Sequence, residues 1–89
     1  MLQAFPGAWR LVPGQALLHH GAGDEHLVFN DLSGDTHLLD TRAMEVLRAL
    51  QAGPLTQAEL HGLCGEPDEP DAIAALLAEL QDLMLVQAA

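Results

Sequence analysis

The chain has 89 residues, and its three basic side chains, Arg10, Arg42 and Arg48, stand against thirteen acids and no lysine, for a formal charge of −10. A chain of this length makes one domain, 1–89, which buries roughly 60 to 65% of its unfolded surface and leaves no room for a second. The charge excludes phosphate-dominated nucleic-acid binding, which rests on Lys and Arg, and favours cationic or apolar partners.

Pro6, Gly7, Pro13 and Gly14 punctuate the beginning, so Trp9 to Val12 is at most a short edge strand. Gln15 to His19 reads as the first strand of a meander and His20 to Asp24 as a turn. His26 to Asn30, carrying Leu27, Val28 and Phe29, reads as the second strand. Asp31 to Asp35 is the next turn, where Gly34 is free to take positive φ, and Thr36 to Leu39 is the third strand.

The period then changes from two to 3.6. Ala43, Met44, Val46, Leu47 and Leu50 share one face of a helix from Thr41 to Gln51, capped by Asp40 and stopped by Gly53-Pro54. Thr56-Gln57-Ala58-Glu59 is a capping-box pattern that opens a short second helix. That helix is expected to bury Leu60, Leu63 and Cys64 before Gly65 ends it. Asp68, Pro70 and Asp71 suit the first turn of a third helix, about Pro70 to Met84, with a stripe of Ile73, Leu76, Leu77, Leu80, Leu83 and Met84. Strands followed by helices indicate an α+β fold: a three-stranded antiparallel sheet followed by three helices, with a winged helix-turn-helix core as the closest simple architecture.

Cys64 is the only cysteine, which forbids an internal disulfide, and no segment has signal-peptide character, so a reducing cytoplasm is the expected compartment. Leu11 to Ala22 is uncharged but interrupted by Pro13, Gly14, His19 and His20. It falls short of the ~20 apolar residues of a bilayer span, so a soluble protein with no membrane partner is expected.

Catalytic and metal chemistries find little support. His19, His20, His26, His37, His61 and Cys64 are potential ligands, and His61 and Cys64 would share a helical face. A structural zinc site normally needs four ligands at recognisable spacing, and no second pair is present, so surface histidines and a small buried thiol are the simpler reading. Cys64 lies on the expected apolar face, where a thiol is usually inert. Ser33 has no assignable base, and Asp24-Glu25 and Asp68-Glu69 read as solvated turn and cap residues. No catalytic residue, metal or cofactor is therefore expected. Trp9 is expected to pack against the start of the sheet. A DNA-binding winged helix needs a basic recognition helix, and the third helix has no Lys or Arg.

Trp9, Pro13-Gly14, Leu27-Val28-Phe29-Asn30, Ser33-Gly34-Asp35-Thr36-His37-Leu38-Leu39 and Ala43-xx-Val46-Leu47-xx-Leu50 together form a pattern. It resembles the small PqqD-like proteins, specifically the branch called the HPr-rel-A system PqqD family peptide chaperones. The resemblance runs from roughly Trp9 to Val86. Ser33 to Leu39 is its specific part, and the helical half is generic Leu/Ala patterning.

The resemblance implies a non-catalytic recognition element for ribosomally made, post-translationally modified peptides, which delivers a precursor (leader) peptide to a modifying enzyme. For this branch it also implies association with a kinase-like partner, an HPr kinase-related protein, and a nucleotidyltransferase-like protein. The leader is expected to add as a strand along Asp35 to Leu39, in the groove between that strand and the third helix. The contacts so implied are Thr36, His37, Leu38 and Leu39 from the strand, and Ala72, Ala75, Leu76, Glu79 and Leu83 from the helix. His37 also has a structural reading, in which it orders the hairpin, beside one as a pH-sensitive group. An interaction or homodimerisation module is the alternative function, because an exposed edge strand serves dimers as readily as peptides. A winged-helix DNA binder is disfavoured by the charge.

Overall fold

Period-two alternation between Leu17 and Leu39 builds the first sheet. In the computed structural model, which describes residues 8–66, 68, 69 and 71–89, strands β2 (Leu17–Ala22), β3 (Glu25–Asn30) and β4 (Thr36–Asp40) form an antiparallel meander in the order β2-β3-β4. His19, Val28 and His37 lie in register, as do Gly21, His26 and Leu39. Val28, Asn30 and Leu39 are buried, so these rows face inward. Leu18, Phe29 and Thr36 form an outward row, followed by His20, Leu27 and Leu38.

The first strand begins later than the expected Gln15 to His19, because Gln15 has another task. Its Nε2 donates to the Leu85 carbonyl at 2.8 Å and its Oε1 accepts from Asn30 Nδ2 at 2.8 Å. The strand also runs on to Ala22, which pairs with Glu25 across a two-residue Gly23-Asp24 turn with Gly23 at φ 64°.

The α+β class holds, but strands do not simply precede helices. A second antiparallel sheet has the order β5-β1-β6, from β1 (Ala8–Leu11), β5 (Leu55–Thr56) and β6 (Val86–Ala88). The segment expected to be at most an edge strand is therefore central, with Trp9 opposite Leu55 on one side and Ala88 on the other. This corrects the simple winged arrangement: β5 falls between the first two helices, and β6 follows the third. Trp9 packs half-buried against the core from this second sheet. Pro6 and Gly7, read as breakers, lie outside the described residues.

Helix α1 (Thr41–Gln51) is the centrepiece, burying Ala43, Met44, Val46, Leu47 and Leu50. Asp40 ends β4 and caps α1, its Oδ1 accepting from the Ala43 N–H at 2.8 Å. Helix α2 (Gln57–Cys64) opens with a reciprocal capping box between Thr56 and Glu59, at 2.9 and 3.1 Å. Leu60 is buried and Cys64 half-buried, whereas Leu63, expected in the core, is exposed. In so short a helix the seam follows Leu60 and Cys64 and turns Leu63 outward.

Helix α3 spans Ala72–Asp82, shorter than the expected Pro70 to Met84. Pro70 lies outside the described residues, and Asp71 occupies the N-cap without a side-chain hydrogen bond. At the other end Leu85 N–H donates to Leu80 O at 3.0 Å and Met84 N–H to Gln81 O at 2.9 Å, with Met84 at φ 63°. This Schellman closure turns the chain so that Leu85 is buried while Met84, expected in the apolar stripe, is exposed. Arg42 links α1 to the acidic connector before α3, reaching Glu66 at 3.6 Å and Glu69 at 3.3 Å.

Candidate functional site

β4 is an edge of the meander, and its pairing decides which backbone groups are free. Asn30 N–H donates to Asp35 O and Gly34 N–H to Asn30 O, each at 2.8 Å. Antiparallel pairing alternates, so His37 and Leu39 turn their N–H and C=O toward β3 while Thr36 and Leu38 turn theirs outward. Asn30 fixes this hairpin: it is 1% exposed, and its Oδ1 accepts from Leu32 N–H at 2.9 Å and Ser33 N–H at 3.4 Å.

Beside this edge lies a groove of about 340 Å³. Leu39 and Ala43, with the strand edge at Leu38, form one wall, and Leu76, Leu80 and Leu83 from α3 form the other. Asp24, Glu25 and Asp40 gather at the end where β4 passes into α1, and Glu79 stands on the helical wall. Glu25 lies directly opposite Asp40 across the β3–β4 ladder.

Of the residues expected at a peptide site, Leu38, Leu39, Leu76, Glu79 and Leu83 meet in this groove. Thr36 is an exposed residue farther up β4, and His37 shares the inner face with Val28, where its Nε2 is buried without a partner. Ala72 and Ala75 do not line the groove, because it runs along the later turns of α3 and they stand in the first. Asp24, Glu25, Asp40, Ala43 and Leu80 line the groove as well, beyond the residues expected from the sequence. In the sequence Asp24-Glu25 and Asp40 read as turn and cap residues, and only strand pairing gathers them.

None of the three arginines lines this groove. Arg42 engages Glu66 and Glu69, Arg10 is paired across the strands with Gln87, and Arg48 approaches His19 Nδ1 at 3.5 Å. Among the described residues, Asp24, Glu25 and Glu79 enter no ion pair.

A separate polar cluster sits on the inner face near α1. His19 Nε2 and His26 Nδ1 are 2.7 Å apart, and His26 Nε2 lies 3.1 Å from Thr41 Oγ1. Gly21 makes this approach possible, since a Cβ there would lie 2.9 Å from His26 Nδ1. The His19 pKa is held below the ordinary imidazole value, first by partial desolvation and then by the charges of Arg48, His26 and His20.

The Cys64 thiol is pushed up by burial and by Glu45, against a smaller opposing effect of Arg42, which keeps it protonated and weakly nucleophilic. Ser33 Oγ accepts from Asp35 N–H at 3.2 Å, a turn contact. Among the described residues, no three His, Cys, Asp or Glu side chains converge as metal ligands.

Among the described residues, the outer face of the meander exposes an apolar patch, with Leu18 at 63%, Leu38 at 62% and Leu27 at 46% exposure. Among the described residues no helix is long and apolar enough to cross a membrane. Comparison of the chain with family models, curated proteins and solved structures returned no match.

Proposed function

We propose that this domain is a non-catalytic, cytoplasmic peptide-recognition module of the PqqD-like kind. It takes an extended segment of a precursor (leader) peptide as an added strand on β4 and delivers it to a separate modifying enzyme, for which an HPr kinase-related protein is the candidate. The observation that carries this reading is the outward-facing backbone of Thr36 and Leu38 beside an apolar groove shared with α3. Backbone pairing would orient the peptide, and Leu39, Leu76 and Leu83 would receive an apolar side chain from it. The high charge and the α3 sequence, free of Lys and Arg, speak against a DNA-binding role.

The test is a titration of the labelled domain with short peptides encoded beside it in its genome, followed by amide NMR. Saturable shifts and slowed hydrogen exchange centred on Thr36 and Leu38 are expected. Leu38→Pro removes an N–H that points away from β3, so it should leave the meander folded while abolishing binding. Binding that persists undiminished in this variant, or shifts confined to other surfaces, would refute strand addition on β4.

The exposed Leu18, Leu27 and Leu38 favour a second reading, a protein interaction or homodimerisation module using the outer sheet face. Sedimentation across a concentration series distinguishes it: self-association weakened by Leu18→Ser and Leu27→Ser would support this alternative.

A further inference from the structure

Resting on the peptide-binding reading, a more specific inference follows from the charges around the groove. Three of its carboxylates, on Asp24, Glu25 and Asp40, crowd one end, and Glu79 faces the groove from α3. Glu25 and Asp40 are a directly opposed like-charge pair, an arrangement that ordinarily weakens a sheet. Asp40 is partly compensated by its cap bond to Ala43 N–H, but Glu25, Asp24 and Glu79 enter no ion pair among the described residues. The apolar walls between these acids belong to Leu39, Leu76, Leu80 and Leu83. An anionic segment would meet repulsion here, and a purely apolar one would leave the acids unrelieved.

We propose that the groove selects a cationic peptide: an extended segment with an apolar residue seated against Leu39 and Leu76 and a Lys or Arg beside it at the Glu25–Asp40 end. Glu25, Asp40 and Glu79 are the residues that set this preference. The same charges argue against a second copy of the chain in the groove. Pairing β4 with β4 would bring two acidic rims together on chains that each carry a formal charge of −10.

The test compares three synthetic peptides that share one apolar core, Val-Leu-Val-Thr-Leu, and differ only in flanking residues: Lys, Gln or Glu at both ends. Binding is read by fluorescence anisotropy at two salt concentrations and located by amide NMR. The Lys-flanked peptide should bind roughly tenfold more tightly than the Gln-flanked one, as expected for a few partly exposed charge pairs. The preference should shrink as salt is raised, and the Glu-flanked peptide should bind weakest. Both Glu25 and Glu79 are exposed, so Glu25→Gln and Glu79→Gln together should keep the fold while removing most of the preference.

Equal binding of the Lys and Gln peptides at Thr36 and Leu38 would overturn the charge selection and leave strand addition intact. Binding of none of the three would overturn both. Dimerisation that protects the β4 amides without peptide would overturn the choice of occupant.

Discussion

Replacing Asn30 with Ala should cost about 1.5–3 kcal/mol of stability, because this side chain ties three separate segments together. Its Nδ2 donates to Gln15 Oε1 at 2.8 Å, its Oδ1 accepts from Leu32 N–H at 2.9 Å and, more weakly, from Ser33 N–H at 3.4 Å, and it is 1% exposed. The turn amides near Leu32 can turn to water, so their loss is about 0.5–1 kcal/mol. Gln15 cannot compensate in this way. Its Nε2 is already committed to the Leu85 carbonyl at 2.8 Å, so its amide cannot rotate and its oxygen is left unpartnered at about 1–2 kcal/mol. For a domain of this size the total corresponds to a fall in Tm of about 6–24 °C, against an overall stability of about 4–13 kcal/mol. Urea unfolding followed by circular dichroism, on Asn30→Ala, Gln15→Ala and the double variant, measures both the loss and its origin. The two sites should couple by about 1 kcal/mol or more. If the single losses add to within about 0.3–0.5 kcal/mol, or if Asn30→Ala unfolds within about 0.5 kcal/mol of the wild type, the bridging role assigned to this side chain is wrong.

Met84 holds φ 63° at an exposed helix C-terminus. Met84→Gly should raise stability by about 1 kcal/mol in chemical denaturation, and a loss would show that the Schellman geometry assigned there is mistaken. His19 gives a pH dependence. Its folded pKa lies below that of the unfolded chain, so the unfolded state takes up the proton first, and stability declines as pH falls through about 6.5 and levels off below the folded value. His19→Gln should remove this step in Tm measured between pH 8 and pH 5. An identical step in the variant would assign the effect to another group.

The elements legible in the chain are those whose causes are local. Asp40, the 3.6-residue repeat from Ala43 to Leu50 and Gly53 specify α1 with both its ends, and Thr56 with Glu59 specifies the start of α2. The second sheet was hidden because its strands draw their hydrogen bonds from distant segments. Leu55–Thr56 is two residues inside a helix-start pattern, and Val86–Ala88 carries no turn signal of its own; only Trp9 and its neighbours between them create the ladder. The stripe of α3 overran for a related reason. Leu83, Met84 and Leu85 are all apolar, and composition does not reveal that the chain reverses at Met84 to bury Leu85. In the groove, Leu38, Leu76 and Leu83 follow from strand and helix position. The opposition of Glu25 to Asp40 follows from a ladder register that single residues do not announce.

Asp40 is at once the last residue of β4 and the N-cap of α1, with no loop between them. The junction therefore works as a ruler. An incoming strand runs out of partner where the helix begins, and β4 cannot slide to lengthen the match without uncapping α1. With outward backbone groups at Thr36 and Leu38 and the N–H of Asp40, main-chain pairing with an added strand would contribute a few bonds of about 0.5–1.5 kcal/mol each. Discrimination between sequences must then come from side chains over a recognition motif of only a few residues. On the proposed peptide-carrier reading, so short a grip would also dissociate readily and let the cargo pass to an enzyme.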